Sequence, residues 1–109
     1  MVLITRGDMK PGYQSVQPAH ALAEFATVYP KTFGNWHKNH KNLVILAAAD
    51  ESALIDLFKR SREQGIRSVM FREPDLNDEV TALALEPGEK TYKITSTLPL
   101  ALKEKRNIT

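Results

Sequence analysis

Seven apolar residues in a row, Leu43-Val-Ile-Leu-Ala-Ala-Ala49, stand between Lys41-Asn42 and Asp50-Glu51. The run is far too short to span a membrane. It shows no polar/apolar alternation, so it reads as a central strand buried on both faces. Such a strand needs helices above and below the sheet. The next segment supplies one. Asp50 is a good N-cap, and Leu54, Leu57, Phe58 and Ser61 mark one stripe of a helix over residues 51–64. Gly65 then stands where a left-handed residue is wanted.

The rest of the chain follows the same grammar. Val2 to Arg6 reads as a buried strand, and Pro11-Gly12 marks a turn in the loop after it. Ser15 is read as the N-cap of a helix with Pro18 in its first turn, running to about Tyr29, where Pro30 stops it. Thr32 to Asn42 reads as a polar connection. Ile66 to Arg72 is a third strand, Glu73 to Glu79 an acidic loop, and Val80 to Leu85 a fourth strand ended by Pro87-Gly88. Tyr92 to Thr95 reads as a short strand, and Leu98 to Lys105 as a helical or irregular tail. The order β-α-β-α-β-β implies two crossovers and a largely parallel sheet, with the last strand antiparallel or at the edge. The expected fold is α/β: a small four-stranded mixed β-sheet with helices packed on both faces.

With 109 residues the chain is expected to form one domain over 1–109, its stretch 90–109 a weakly patterned tail. It has no cysteine, which rules out disulfides and thiolate metal sites. His37 and His40 are three apart, but no third ligand accompanies them, so no metal and no cofactor are expected. No signal-peptide pattern precedes the first strand, and a soluble cytoplasmic protein without a membrane partner is the expectation. Fifteen basic against thirteen acidic residues give a net charge of +2, too weak to argue for nucleic acid alone. The distribution says more. Lys31, Lys38, Lys41, His37 and His40 lie in a stretch without an acid, with Trp36 among them. Such a segment can bind phosphate and stack a base, or simply face water with Trp36 packed on the body.

Ligands in such sheets bind beyond the carboxyl ends of the parallel strands. Arg6 to Gly12, the loop after Ala49 and Arg72 to Asn77 should meet there. Lys10, Tyr13, Gln17 and His20 would face Glu73, Asp75 and Asn77. A carboxylate beside a cation or a histidine suits general-base chemistry. Each residue also has a purely structural reading: His20 packed and hydrogen-bonded, Gln17 satisfying loop backbone, Glu73 and Asp75 as turn acids, Lys10 solvated. There is no phosphate loop, G-x-G-x-x-G, nucleophile elbow or H-E-x-x-H.

Arg6-x-Asp8-Met9-Lys10-x-Gly12 followed by Gln17-x-x-His20-Ala21 resembles the N-terminal signature of the type-2 peptidyl-tRNA hydrolases, the archaeal and eukaryotic kind. Asp50-Glu51-Ser-Ala-Leu54, Gly65, Arg72-Glu73 and Thr81 to Pro87 are similar to later family elements in the same order. The resemblance covers roughly residues 1 to 88. It implies a small mixed sheet with helices on both faces, hydrolysis of the ester joining a peptide to the 3′ ribose of tRNA, and tRNA as partner. Dimers are common in the family, so it also raises a homodimer. The family's functional lysine, acid and threonines fall on Tyr13, Glu73, Asn77 and Thr81. The chain thus departs from the pattern: Tyr13 replaces the lysine, Glu73 the aspartate and Asn77 a threonine, as in a divergent branch of the family.

The resemblance therefore implies an esterase with water as nucleophile. Lys10 binds phosphate or polarises the carbonyl, and Glu73 orients or deprotonates water. Gln17 and Thr81 hydrogen-bond near the ester, and His20 buttresses the helix. Gly12, Tyr13, Asp75, Asn77, Lys38 and Lys41 contact substrate, the last two on the tRNA backbone. The main alternative is a catalytically impaired module of the same fold that binds tRNA, other RNA or a protein. A weaker one is a small metabolic enzyme for another ester or amide.

Overall fold

The computed structural model describes residues 1–103. The chain runs β1 (Val2–Arg6), α1 (Pro11–Val28), α2 (Pro30–Asn39), β2 (Val44–Ala48), α3 (Glu51–Glu63), β3 (Ser68–Glu73), a 3-10 turn (Pro74–Leu76), β4 (Glu79–Leu85) and α4 (Glu89–Thr95). The sheet has the order β2-β1-β4-β3. β1 and β2 are parallel, and β4 is antiparallel to both β1 and β3. β1, β2 and β3 therefore all point the same way, with β4 inserted against them.

Alternation along β1 and β4 divides the core. Val2, Ile4, Val80, Leu83 and Leu85 face α3 and α4, packing on Leu54, Leu57 and Ile94. Leu3, Ala82 and Ala84 face the other way, onto Ala21 and Phe25 of α1 and Trp36 of α2. The small alanines of β4 let α1 lie close to the sheet. The α/β architecture with a four-stranded mixed sheet and helices on both faces is as expected.

Several local expectations are corrected. The seven-residue apolar run is not a central strand: β2 lies at the sheet edge. Nor is it buried on both faces: Leu46 and Ala48 are buried, Val44, Ile45 and Ala47 half-buried, and Leu43 and Ala49 exposed. The chain itself covers part of the backbone edge. Ala47 N–H donates to the Pro99 carbonyl and Ala101 N–H to the Ile45 carbonyl, both at 2.9 Å. The sheet is not largely parallel either, since β1–β2 is its only parallel pair among the described residues.

The helix expected to start at Ser15 begins at Pro11, with Lys10 at the N-cap, and Ser15 sits inside it, bonding back to the Gly12 carbonyl. Gly12 is therefore helical, not a turn residue. Pro18 lies within the helix and is buried.

Pro30 does stop α1, but it also occupies the first position of α2, where its missing N–H costs nothing. The supposed loop from Thr32 is thus largely helical, held by burial of Trp36 and packing of Phe33. Tyr92 to Thr95 is helical as well. Thr91, Ile94 and Thr95 bury one face of α4 at helical spacing, overriding the strand-like pattern. The tail from Leu98 is irregular as far as Lys103; its remainder lies outside the described residues.

Candidate functional site

The carboxyl end of β1 is fastened by an arginine. Arg6 donates from Nε and Nη2 to the two carboxylate oxygens of Asp8 at 3.0 and 2.9 Å. Its Nη1 reaches Glu79 at 3.1 Å and the Val80 carbonyl at 3.4 Å. This fork ties the loop after β1 to the start of β4. The hydrogen bond that Arg6 donates to Asp8 raises the Arg6 pKa, and the same bond holds the Asp8 carboxyl below its ordinary value. Gln14, on the first turns of α1, pins the same loop by donating to the Met9 carbonyl at 2.6 Å.

The start of β4 carries a β-bulge. Phe71 pairs with Ala82 and Arg72 pairs with Val80, so Thr81 is the extra residue. Strict alternation from Ala82 would turn Thr81 toward α3. The bulge instead turns it to the α1 face, where its Oγ1 donates to Oε1 of Gln17 at 2.6 Å. Both side chains are buried. Glu51, at the first turn of α3, accepts from the Val80 N–H at 2.7 Å and holds the other side of the bulge.

An open cavity of about 520 Å³ lies against this assembly. Lys10, Gly12, Tyr13, Val16, Gln17 and His20 of the α1 side line it, with Glu73 from the end of β3 opposite. His20 is not a packed, hydrogen-bonded core histidine: it is exposed and stacks on Phe71, ring centroids 4.6 Å apart and planes 9° apart. Among the described residues Lys10 and Glu73 form no ion pair with each other, so both remain available to a ligand. The N-terminus of α1 opens on the same space. Pro11 has no N–H, and the first intrahelical bond is Gln14 N–H to the Lys10 carbonyl at 3.1 Å. The N–H groups of Gly12 and Tyr13 therefore have no intrahelical acceptor, at the positive end of an 18-residue helix.

Other sequence-selected residues lie elsewhere. Thr81 stands behind Gln17, one layer from the cavity. Asp75 and Asn77 are exposed in the turn after Glu73, and Asn77 has a left-handed φ of 54°; neither lines the cavity. Lys38 and Lys41 sit at the opposite end of the sheet. The segment they border meets the amino end of β1, where the Met1 amino group donates to the Asn42 carbonyl. α1 separates the two ends by roughly 27 Å at 1.5 Å per residue. Trp36 is buried, its indole N–H donating to the Asn42 carbonyl at 2.7 Å, so it packs on the body. Sequence reasoning gave no role to Gln14, Val16, Glu51 or Glu79. Only the Arg6-x-Asp8 spacing hinted at the fork; nothing local foretells the bulge.

Fold and cavity together define a small α/β protein with an open cleft at the carboxyl edge of its sheet, between a helix N-terminus and a strand-end carboxylate. The family model described as peptidyl-tRNA hydrolase PTH2 matches residues 1–101, and the chain belongs to that family. A solved structure of a protein of unknown function from Agrobacterium tumefaciens is similar, with a TM-score of 0.57, 18% identity, and coverage of 91% of this chain and 94% of that one. At that identity the likeness speaks for the fold alone. No curated protein matches the chain significantly. Among the described residues no helix is long and apolar enough to cross a membrane.

Proposed function

We propose that the protein hydrolyses the ester between a peptide and the 3′ ribose of tRNA, at the cavity between α1 and the end of β3. The observation that carries this reading is the placement of Glu73, Lys10 and the α1 N-terminus around one open space in a chain of this family.

Glu73 is half-buried at the end of β3 and is the one carboxylate on the cavity among the described residues. It takes the proton of a water as that water attacks the ester carbonyl. The free N–H groups of Gly12 and Tyr13 and the ammonium of Lys10 receive the negative charge that develops on the carbonyl oxygen. The carbon–oxygen bond to ribose then breaks, and the proton passes to the departing 3′ oxygen. The products are a peptide acid and a tRNA with a free 3′ hydroxyl. Gln17 and Thr81 fix the helix against the bulge, while Tyr13, Val16 and His20 supply an apolar wall for the end of the substrate. Lys31, Lys38 and Lys41, remote from the ester, meet the tRNA backbone.

The test is release of tRNA from labelled peptidyl-tRNA. Turnover above buffer that is lost in Glu73→Gln supports the reading; no turnover by the intact chain overturns it.

A second reading has its own observation. Tyr13 stands where the family places a lysine, and Asn77, at a threonine position, lies off the cavity. On that reading the cavity binds the RNA end without cleaving it. Salt-dependent tRNA binding with no hydrolysis distinguishes it.

A further inference from the structure

A second cavity, of about 360 Å³, opens at the other end of the sheet. Its walls come from α2, the segment after it and the start of α4. Thr32, Asn35, Trp36, His40 and Asn42 line it from α2 and the segment after it, and Tyr92 from α4. We propose that this cavity binds an unpaired nucleotide, with its base against Tyr92 and its phosphate at Lys31 and Lys38.

Three features converge on that ligand. First, Tyr92 is 53% exposed although it is a large aromatic residue on a helix. An uncovered ring at the mouth of a cavity is a stacking platform for any base. The buried Trp36 fills the wall behind and does not compete for that role. Second, Thr32, Asn35, His40 and Asn42 set hydrogen-bonding side chains among Met1, Trp36, Pro87 and Gly88, and among the described residues no carboxylate lines the cavity. Amides, a hydroxyl and an imidazole match the donor and acceptor edges of a base. The Asn35 Oδ1 accepts from Asn39 Nδ2 at 2.6 Å, which aims the Asn35 amide as a donor.

Third, the helix arranges its charge beside the cavity. At 3.6 residues per turn, Thr32, Asn35, Trp36 and His40 share the inner arc of α2, while Lys31 and Lys38 form a neighbouring stripe on the Asn35 side. Both lysines are exposed. A phosphate leaving the cavity on that side meets two cations.

The inference does not depend on hydrolysis at the other cavity, nor on which RNA is cleaved. The shared chemistry is a nucleoside phosphate, met either free or as part of single-stranded RNA.

Trp36 is the chain's one tryptophan and walls the cavity, so its fluorescence reports occupancy. The full chain is titrated with AMP, with a single-stranded tetranucleotide and with inorganic phosphate. Saturable change with AMP or the tetranucleotide, weakened about tenfold or more in Tyr92→Ala and retained in Tyr92→Phe, is the expected result. Tighter binding of the tetranucleotide than of AMP assigns the site to RNA; equal binding assigns it to free nucleotide. Lys38→Ala lowers the salt slope of tetranucleotide binding by about one. No fluorescence change, equal affinity in Tyr92→Ala, or a response to phosphate equal to that of AMP overturns the proposal. Glu73→Gln, which abolishes the proposed hydrolysis, leaves this titration unchanged, so the two readings fail separately.

Discussion

Thr81 donates its hydroxyl to the Gln17 side-chain oxygen at 2.6 Å, joining a bulged strand to the first helix across 64 residues of sequence. Both groups are sealed from water. The bond exists because the chain spends one extra residue between Val80 and Ala82. It fixes the rotation of α1 about its axis, and therefore which α1 side chains face Glu73.

Removing only the hydroxyl leaves a buried amide oxygen without its donor. Thr81→Val should lower stability by about 1–3 kcal/mol, seen as a fall of roughly 4–8 °C in Tm per kcal/mol for a domain of about this size. The double variant Gln17→Leu with Thr81→Val removes both partners and should recover most of that loss. A Thr81→Val protein that melts with the parent would show that the bond contributes nothing.

Glu51 performs a second task on the same bulge. Its carboxylate accepts the Val80 N–H at 2.7 Å, while its neighbour Asp50 caps the helix by accepting from Ala53 N–H at 2.9 Å. Asp50→Ala should cost about 1 kcal/mol and act only on α3. Glu51→Ala should instead free the Val80 amide. Amide hydrogen exchange, read residue by residue, separates the two: faster exchange at Val80 is expected in Glu51→Ala and not in Asp50→Ala.

The Arg6–Asp8 fork gives stability a defined pH dependence. The folded Asp8 pKa is depressed by its hydrogen bond to Arg6. A depressed carboxylate contributes stability that is complete above the unfolded value, about 3.9. That contribution is lost as pH falls through the lower folded value. Asp8→Asn should therefore reduce stability at neutral pH and flatten its decline in acid. Urea titrations at a series of pH values test this, and parallel curves for parent and variant would refute it. Asp8 is partly exposed, so solvent screens the pair and the effect is modest.

Much of this architecture is readable from residues alone, and the parts that are not have physical causes. Asp50, Gly65 and the period of Leu54, Leu57 and Phe58 define α3 locally, because cap, stripe and stop all agree. The Leu43–Ala49 run shows burial but not position. A strand flanked by a neighbour and one flanked by residues 99–101 look alike in composition, since both have their backbone edge hydrogen-bonded and one face buried, here Leu46 and Ala48. The segment after Pro30 contains Gly34 and three asparagines, a local signal for a loop, and only Trp36 and Phe33 finding the core makes it helical. At the site, the gathering of Lys10, Tyr13, Gln17, His20 and Glu73 follows from strand direction and helix spacing. The bulge at Thr81 does not, because Val80 to Leu85 is apolar on both faces apart from Thr81 itself, and one residue of slip leaves no mark in such a run.

The sharpest test of the proposed chemistry is to place at Tyr13 the lysine that the resemblance to the family implies there. Tyr13 is 45% exposed, lies on the cavity and sits beside the free N–H groups of the α1 N-terminus. A lysine there would add a second ammonium next to Lys10, facing Glu73 across the opening. Tyr13 is exposed and outside the two core clusters, so the exchange should change the melting temperature little. If Lys10 and the helix end already carry the developing charge, Tyr13→Lys should raise peptidyl-tRNA turnover, by about tenfold for each 1.4 kcal/mol the new charge adds in the transition state. The gain should vanish when Glu73→Gln is combined with it, because charge stabilisation needs an activated water to act upon. A chain that is inactive with Tyr13 and gains turnover with lysine would instead mark the natural protein as the binding-only form. Equal turnover in parent and Tyr13→Lys would show that the site does not use this position for charge. Measuring kcat and KM separately decides between them, since a cation that merely holds the tRNA phosphate lowers KM and leaves kcat where it was.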